Sequence, residues 1–144
     1  MFGIPFKEAF MKCPVCRDAM VVLELAEVEI DHCLTCGGIW LDAGELELLL
    51  DAETERTAVL QSFRPAEPLT EKPRPCPMCL KDMEKVLCAG LRAPVRLDRC
   101  RAQHGIWFDR EELTDVLSAG HTGLDSRVLR LLKDMFGNSQ TKEA

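Results

Sequence analysis

A small metal-stabilised α+β fold is predicted, built as two tandem modules, each a β-hairpin flanked by short cysteine knuckles and followed by a helix, with an amphipathic helix at the C-terminal end. Three observations predict it. Cys-x-x-Cys pairs occur at Cys13/Cys16, Cys33/Cys36 and Cys76/Cys79, and Cys100 and His104 supply a fourth pair of donors. The stretch from Asp31 to Leu46 recurs from Asp98 to Leu113, placing Cys33 on Cys100, Trp40 on Trp107, Asp42 on Asp109 and Glu45 on Glu112 without a gap. Finally, Val28 and Ile30 alternate with Glu27, Glu29 and Asp31, as Val95 and Leu97 do with Pro94, Arg96 and Asp98. That period of two marks strands with one buried face.

The knuckles come first because they carry the chemistry. In the alignment Cys36 falls on Gln103 and Gly37 on His104, so the fourth donor moves one residue on and changes from sulfur to nitrogen. An imidazole is longer than a thiol, and the extra residue compensates. Four such donors from two knuckles suit a closed tetrahedral zinc site with no open coordination position. Two zinc ions are expected, one on Cys13, Cys16, Cys33 and Cys36 and one on Cys76, Cys79, Cys100 and His104. Cys88 competes with His104 on paper. It lies nine residues after Cys79, where the first repeat has Leu25 nine after Cys16, so it reads as a small buried hydrophobe.

Catalysis is not expected, and no residue is assigned to it. The Cys-x-x-Cys of thiol oxidoreductases opens a helix in a βαβ unit, whereas each pair here precedes strand-like sequence and has a matching second pair. Rubredoxin-type iron also uses two such knuckles, but an imidazole in the second site and the lack of a redox domain argue against it.

C-P-x-C, a hairpin, then C-x-x-C-G-G-I-W-L-D-x-G-E-L resembles the transcription factor IIB-type zinc ribbon. The second copy is similar to its C-x-x-x-H-G-x-W-F-D variant, departing at Gln103 and where Arg110 and Glu111 replace Ala43 and Gly44. The likeness covers residues 12–50 and 75–118. It implies a zinc-binding module and, by analogy alone, a place near the transcription machinery.

The remaining elements follow in order. Residues 1–10 read as a frayed end, with a short docking extension as the alternative. The first strands of the hairpins are expected at residues 19–25 and 83–89, with Gly90 at the second turn. Gly37, Gly38 and Gly105 follow the second knuckles, where backbone curling round a metal calls for positive φ. Asp42 with Glu45, and Asp109 with Glu112, have capping-box spacing, so a helix leaves each module just after its tryptophan. The first module with its helical extension is placed at residues 12–63, the helix carrying Leu46, Leu49 and Leu50 and then Val59, Leu60 and Phe63. Residues 64–75, rich in proline and charge, read as an extended linker that lets the modules move independently. The second module occupies 76–119. In 120–144 Asp125 caps a last helix whose apolar stripe includes Val128, Leu129, Leu131, Leu132, Met135 and Phe136. His32 is read as structural and His121 as a loop residue.

Each module is only about 40 residues long, below the size at which a hydrophobic core usually suffices. Structural zinc binds such peptides with roughly 10–16 kcal/mol of apparent free energy, which supplies the difference. The formal net charge is −6, and metal-bound thiolates take it to roughly −9. Residues 12–51 hold two basic and nine acidic side chains, while 76–118 hold seven of each. That is not the electrostatic footprint of a phosphate binder, although Arg92, Arg96, Arg99 and Arg101 cluster on the second hairpin. No apolar run is long enough to span a membrane, and the first ten residues carry Lys7 and Glu8 in place of a signal-peptide core, so a cytoplasmic protein is expected. Its expected role is a protein–protein interaction module, the stripe of the C-terminal helix serving for self-association, as an intramolecular cap or to bind a partner. The alternatives are a nucleic-acid or RNA-polymerase-binding regulator and a redox- or zinc-responsive switch.

Overall fold

The computed structural model describes residues 11–50, 53–67, 72–90, 93–119, 129–132 and 134–135. The expectations for residues 1–10, Arg92, residues 120–128 including His121 and Asp125, and Phe136 lie outside them.

Strands β1 (Val21–Leu25) and β2 (Val28–His32) pair antiparallel with Leu25 opposite Val28. Ala26 and Glu27 between them take φ of 52° and 71°, because a two-residue hairpin that follows the strand twist needs left-handed backbone at both central positions. β3 (Ile39–Asp42) returns against β2, with Asp31 opposite Trp40. After β4 (Arg64–Pro65), the second repeat builds β5 (Glu84–Cys88), β6 (Val95–Arg99) and β7 (Gly105–Phe108) on the same plan. Asp98 stands opposite Trp107, as Asp31 does opposite Trp40.

The modules do not hang on a linker. β3 pairs antiparallel with β7, joining both hairpins in one seven-stranded sheet ordered β1-β2-β3-β7-β6-β5-β4. The register is symmetric: Trp40 faces Trp107, flanked by Ile39 with Phe108 and Leu41 with Ile106. Because Ile39 aligns with Ile106 and Leu41 with Phe108, each half offers the other the same strand about a pseudo-two-fold axis through the tryptophan pair. The expected linker is itself engaged. Arg64 and Pro65 pair with Leu87 and Val86, and Arg74 reaches Asp98 and Asp109.

Alternation then sorts the side chains onto two faces. One face carries Ile30, Ile39, Leu41, Val86, Leu97 and Phe108, all at most 2% exposed, and it holds the main core. The other carries the two indoles, both fully buried, packed with Met20, Met83 and the cysteines of both knuckle sets.

Helices α1 (Glu45–Leu49), α2 (Glu53–Gln61) and α3 (Glu112–Ala119) add Leu46, Leu49, Leu50, Val59, Leu113, Val116 and Leu117 to the main core. A single helix across residues 46–63 was expected, but Leu50 is extended, with φ −89° and ψ 130°. At about 100° per residue, an unbroken helix would set the centre of the patch formed by Leu46, Leu49 and Leu50 about 90° from that of Val59, Leu60 and Phe63. Breaking the helix lets both patches face the sheet. Residues 129–132 and 134–135 are helical, and Leu129 and Leu132 are 3% and 0% exposed within that same core. Of the uses expected for the C-terminal stripe, this part of it serves as an intramolecular cap.

The capping boxes form only in half. The Asp42 N–H donates to Glu45 Oε1 at 2.8 Å, and the Asp109 N–H to Glu112 Oε1 at 2.9 Å. The aspartate side chains do not cap; they accept the indole N–H groups, Trp40 to Asp42 at 2.8 Å and Trp107 to Asp109 at 2.9 Å. A buried indole needs an acceptor, and this demand takes precedence over the cap.

Positive φ explains Gly37 (84°) but not Gly38 or Gly105. Those two glycines are required by close approach. A Cβ at Gly38 would sit 2.1 Å from Cζ2 of Trp107, and one at Gly105 would sit 2.6 Å from Cζ2 of Trp40. Each tryptophan thus lies on the backbone of the opposite repeat. Gly38→Ala is expected to lower the melting temperature of the whole chain in one transition, since overpacking a tight core costs roughly 1–3 kcal/mol and the halves share that core. Two calorimetric transitions, only one of them shifted, would show that the seam does not couple the repeats.

Candidate metal centres

Each first knuckle is a tight backbone loop. The Cys13 N–H donates to the Asp18 carbonyl at 2.7 Å and the Arg17 N–H to the Cys13 carbonyl at 2.9 Å, with Arg17 at φ 68°. Leu80 occupies the matching left-handed position after Cys76, also at 68°, and the Cys76 N–H donates to the Lys81 carbonyl at 2.8 Å. Backbone N–H groups converge on the first sulfur of each loop: Val15 and Cys16 on Cys13 at 3.3 and 3.2 Å, and Met78 on Cys76 at 3.3 Å. Such donors stabilise a thiolate.

The second knuckles differ, and the difference accounts for the shifted ligand. After Cys33 the left-handed residue is Gly37, whose N–H reaches the Cys33 carbonyl at 2.9 Å. After Cys100 it is Gln103, one position earlier, at φ 66° with its N–H 2.9 Å from the Cys100 carbonyl. The loop closes one residue sooner. His104 therefore leaves it in ordinary backbone, and its Nδ1 turns back to within 3.3 Å of Cys100 Sγ and 4.0 Å of Cys76 Sγ.

The donor atoms of Cys13, Cys16, Cys33 and Cys36 lie within 4.8 Å of one another, and so do those of Cys76, Cys79, Cys100 and His104. Zinc–sulfur bonds of about 2.3 Å in a tetrahedron place sulfurs about 3.8 Å apart. The Cys13–Cys36 and Cys79–Cys100 sulfurs are 3.6 and 3.7 Å apart, so both groups fit a tetrahedral ion. All eight cysteines are free thiols.

Burial raises the thiol of Cys36 and that of Cys76, the latter to about 11, since a thiolate withdrawn from water loses its hydration. At Cys100 burial also pushes upward, but it is outweighed by the backbone N–H groups of His104 and Ala102 and by the neighbouring thiols, which bring it down to about 7. A divalent cation would relieve the repulsion among such clustered sulfurs.

The other residues singled out in the sequence fall outside both groups. Cys88 is fully buried at the end of β5, its sulfur 3.6 Å from Ser62 Oγ and 3.9 Å from the Val59 carbonyl. His32 is not among the donors either. Its Nδ1–H donates at 3.1 Å to the Gly38 carbonyl, which also accepts the Cys33 N–H at 3.0 Å, so the ring holds the knuckle closed. Among the described arginines of the second hairpin, Arg99 lies over the Phe63 ring of the first module, 5.9 Å from its centroid. Arg99 and Arg101 lie 3.1 and 3.8 Å from Glu84, and Arg96 donates to the Glu67 carbonyl at 2.7 Å.

Sequence reasoning missed Arg74. Its guanidinium spans Asp109 at 2.8 Å and Asp98 at 3.3 Å, and Lys85 adds an ion pair of 2.6 Å to the buried Asp98. The position two before Cys76 held the signal, because its counterpart before Cys13 is Met11.

Residues 12–52 match the family model described as transcription factor zinc-finger, a TFIIB-type zinc ribbon. The match covers the first donor set and stops before the second. No curated protein and no solved structure matches the chain.

His104→Ala is expected to weaken metal binding at the second site strongly, and Cys88→Ala to leave it intact at a packing cost of about 1 kcal/mol; competition with a chromophoric chelator reads both. Retention by the histidine variant with loss in the Cys88 variant would reverse the assignment. Burial also raises Glu112, to about 7, with Asp109 and Asp98 adding to the effect. A carboxyl whose folded pKa lies above its unfolded value stabilises the fold at low pH, and this contribution is lost as pH rises towards 7. Glu112→Gln keeps the acceptor for the Asp109 N–H. Its melting temperature, measured at equal metal load, should pull ahead of the native chain's between about pH 4.5 and 7 and keep a constant lead above.

Proposed function

We propose that this chain is a non-enzymatic zinc protein: two structural zinc ions staple the ends of one continuous sheet, and the platform so formed serves protein–protein interaction in a transcription-related setting. The observation that carries the reading is the closure of both donor sets. Each consists of four protein donors at tetrahedral spacing, leaving no position for a substrate or a reactive water. The second donor set is read as a further ribbon of the same kind, on the strength of the shared strand register and the sequence repeat. The link to transcription rests on the family match over residues 12–52 and is an analogy.

The nucleic-acid reading finds less support. Arg96 and Arg99 are bound to groups within the chain, both tryptophans are buried where no base can stack, and the net charge is −6. Among the described residues no helix is long and apolar enough to cross a membrane.

Elemental analysis of the purified chain should find two zinc ions and little iron, and a gel-shift titration with generic DNA or RNA at low salt should show no retention. One metal per chain would sink the structural half of this reading. Salt-sensitive retention of nucleic acid would replace the interaction half.

A further inference from the structure

The two ends of the sheet are finished differently. At one end β4 pairs with β5, Arg64 opposite Leu87 and Pro65 opposite Val86, and the Ala66 N–H donates to the Lys85 carbonyl at 3.2 Å. Pro65 has no N–H to offer a further strand, so that end is closed. At the other end β1 is outermost, and among the described residues it pairs only with β2. Leu25 and Val28 flank the two-residue turn and exchange hydrogen bonds across it, which turns the N–H and C=O groups of Val22 and Glu24 outward. Val22 and Glu24 are the counterparts of Lys85 and Leu87, the residues along which β4 lies in the second repeat.

The shape that fits is therefore an extended segment running antiparallel to β1, but the charge it must carry is set by the first repeat alone. In the second repeat Arg64 lies in one row with Leu87 and Arg96, and Arg96 donates to the Glu67 carbonyl at 2.7 Å, just beyond β4. The corresponding row of the first repeat holds Glu24 and Glu29, directly opposite each other and both exposed. Like charges so placed repel, and a cation on a third strand of the row relieves them. Two residues along β1, Val22 is 37% exposed and lines an apolar groove with the exposed Met78 and Leu80. A second copy of the chain is the wrong occupant, because it would bring the same acidic hairpin: residues 12–51 hold two basic and nine acidic side chains.

We infer that β1 is a docking edge for an extended, basic segment of a partner protein, which adds a further strand to the sheet with Lys or Arg beside Glu24 and an apolar residue two positions later beside Val22. Main-chain hydrogen bonds to Val22 and Glu24 supply the affinity, and the row of carboxylates supplies the selectivity. The inference rests on the interaction role proposed above and adds to it the edge that is used and the chemistry of the partner.

The test titrates the metal-loaded, ¹⁵N-labelled full chain with the blocked peptide Thr-Thr-Arg-Thr-Val-Thr-Thr and with the same peptide carrying Glu in place of Arg. The arginine peptide should shift the Val22 and Glu24 amides downfield and slow their exchange with solvent roughly tenfold at saturation, while the indole N–H signals of Trp40 and Trp107 stay in place. Glu24→Lys, a change at an exposed position, should weaken the arginine peptide roughly fivefold and make the glutamate peptide the better ligand. Shifts confined to other amides overturn the inference and leave the interaction role to another surface. No shift with either peptide, or an unchanged preference in the Glu24→Lys chain, overturns it as well. So does slow exchange at Val22 and Glu24 in the peptide-free chain, which would mean that the edge is already paired, or a mass that doubles with concentration as those amides shift, which would make a second copy the occupant. Failure of the interaction role itself is read separately, as retention of nucleic acid in the gel shift.

Discussion

Everything in this molecule hangs on two indole rings crossing one seam. β3 and β7 bring Trp40 opposite Trp107, and each ring rests on a glycine of the other repeat. Those glycines belong to the knuckles, since Gly38 and Gly105 offer the carbonyls that receive the N–H groups of Cys33 and Cys100. The ring that fills the core of one half thus also fixes the backbone geometry of the other half's donor set. Two domains, each too small to fold on its own hydrophobic content, become one body with a shared interior.

The two faces of the sheet divide the work. One is covered by helices and by Leu129 and Leu132, and it supplies ordinary apolar burial. The other carries the sulfur donors around the tryptophans, where the packing is tight and the polar requirements are strict. Asp42 and Asp109 serve both demands. Each accepts an indole N–H through its side chain while its backbone N–H is held by the glutamate that opens the following helix. Strand, knuckle and helix are locked to one another at a single residue in each half.

The donors, the hairpins and the displaced histidine were legible because their cause is local: spacing within a knuckle and alternation along a strand are written in consecutive residues. The seam was not legible. Strand pairing between residues 67 apart leaves no periodic trace, and Ile39, Leu41, Ile106 and Phe108 read equally well as the core of separate modules. Gly38 and Gly105 were noticed for the wrong reason, since a residue that must lack a side chain looks the same whether φ or a neighbouring ring demands it. A proline-rich stretch gave no hint that Arg64 and Pro65 would form an edge strand, and the one trace of Arg74's role was its contrast with Met11 in the aligned repeat. The break at Leu50 was implicit in the offset of about 90° between two apolar patches, a calculation that matters only once both patches are known to face the same sheet.

The symmetry of the seam has a consequence for assembly. A strand that pairs with its own equivalent about a two-fold axis is complementary to every other copy of itself, so nothing in the contact surface distinguishes the β7 of the same chain from that of another. What selects the internal partner is the tether, through the local concentration it imposes. Folding at high density therefore pits identical interfaces against each other. The exchanged product is a closed domain-swapped dimer with the same strands, the same buried indoles and the same donor clusters, distinguishable from the monomer only by its mass.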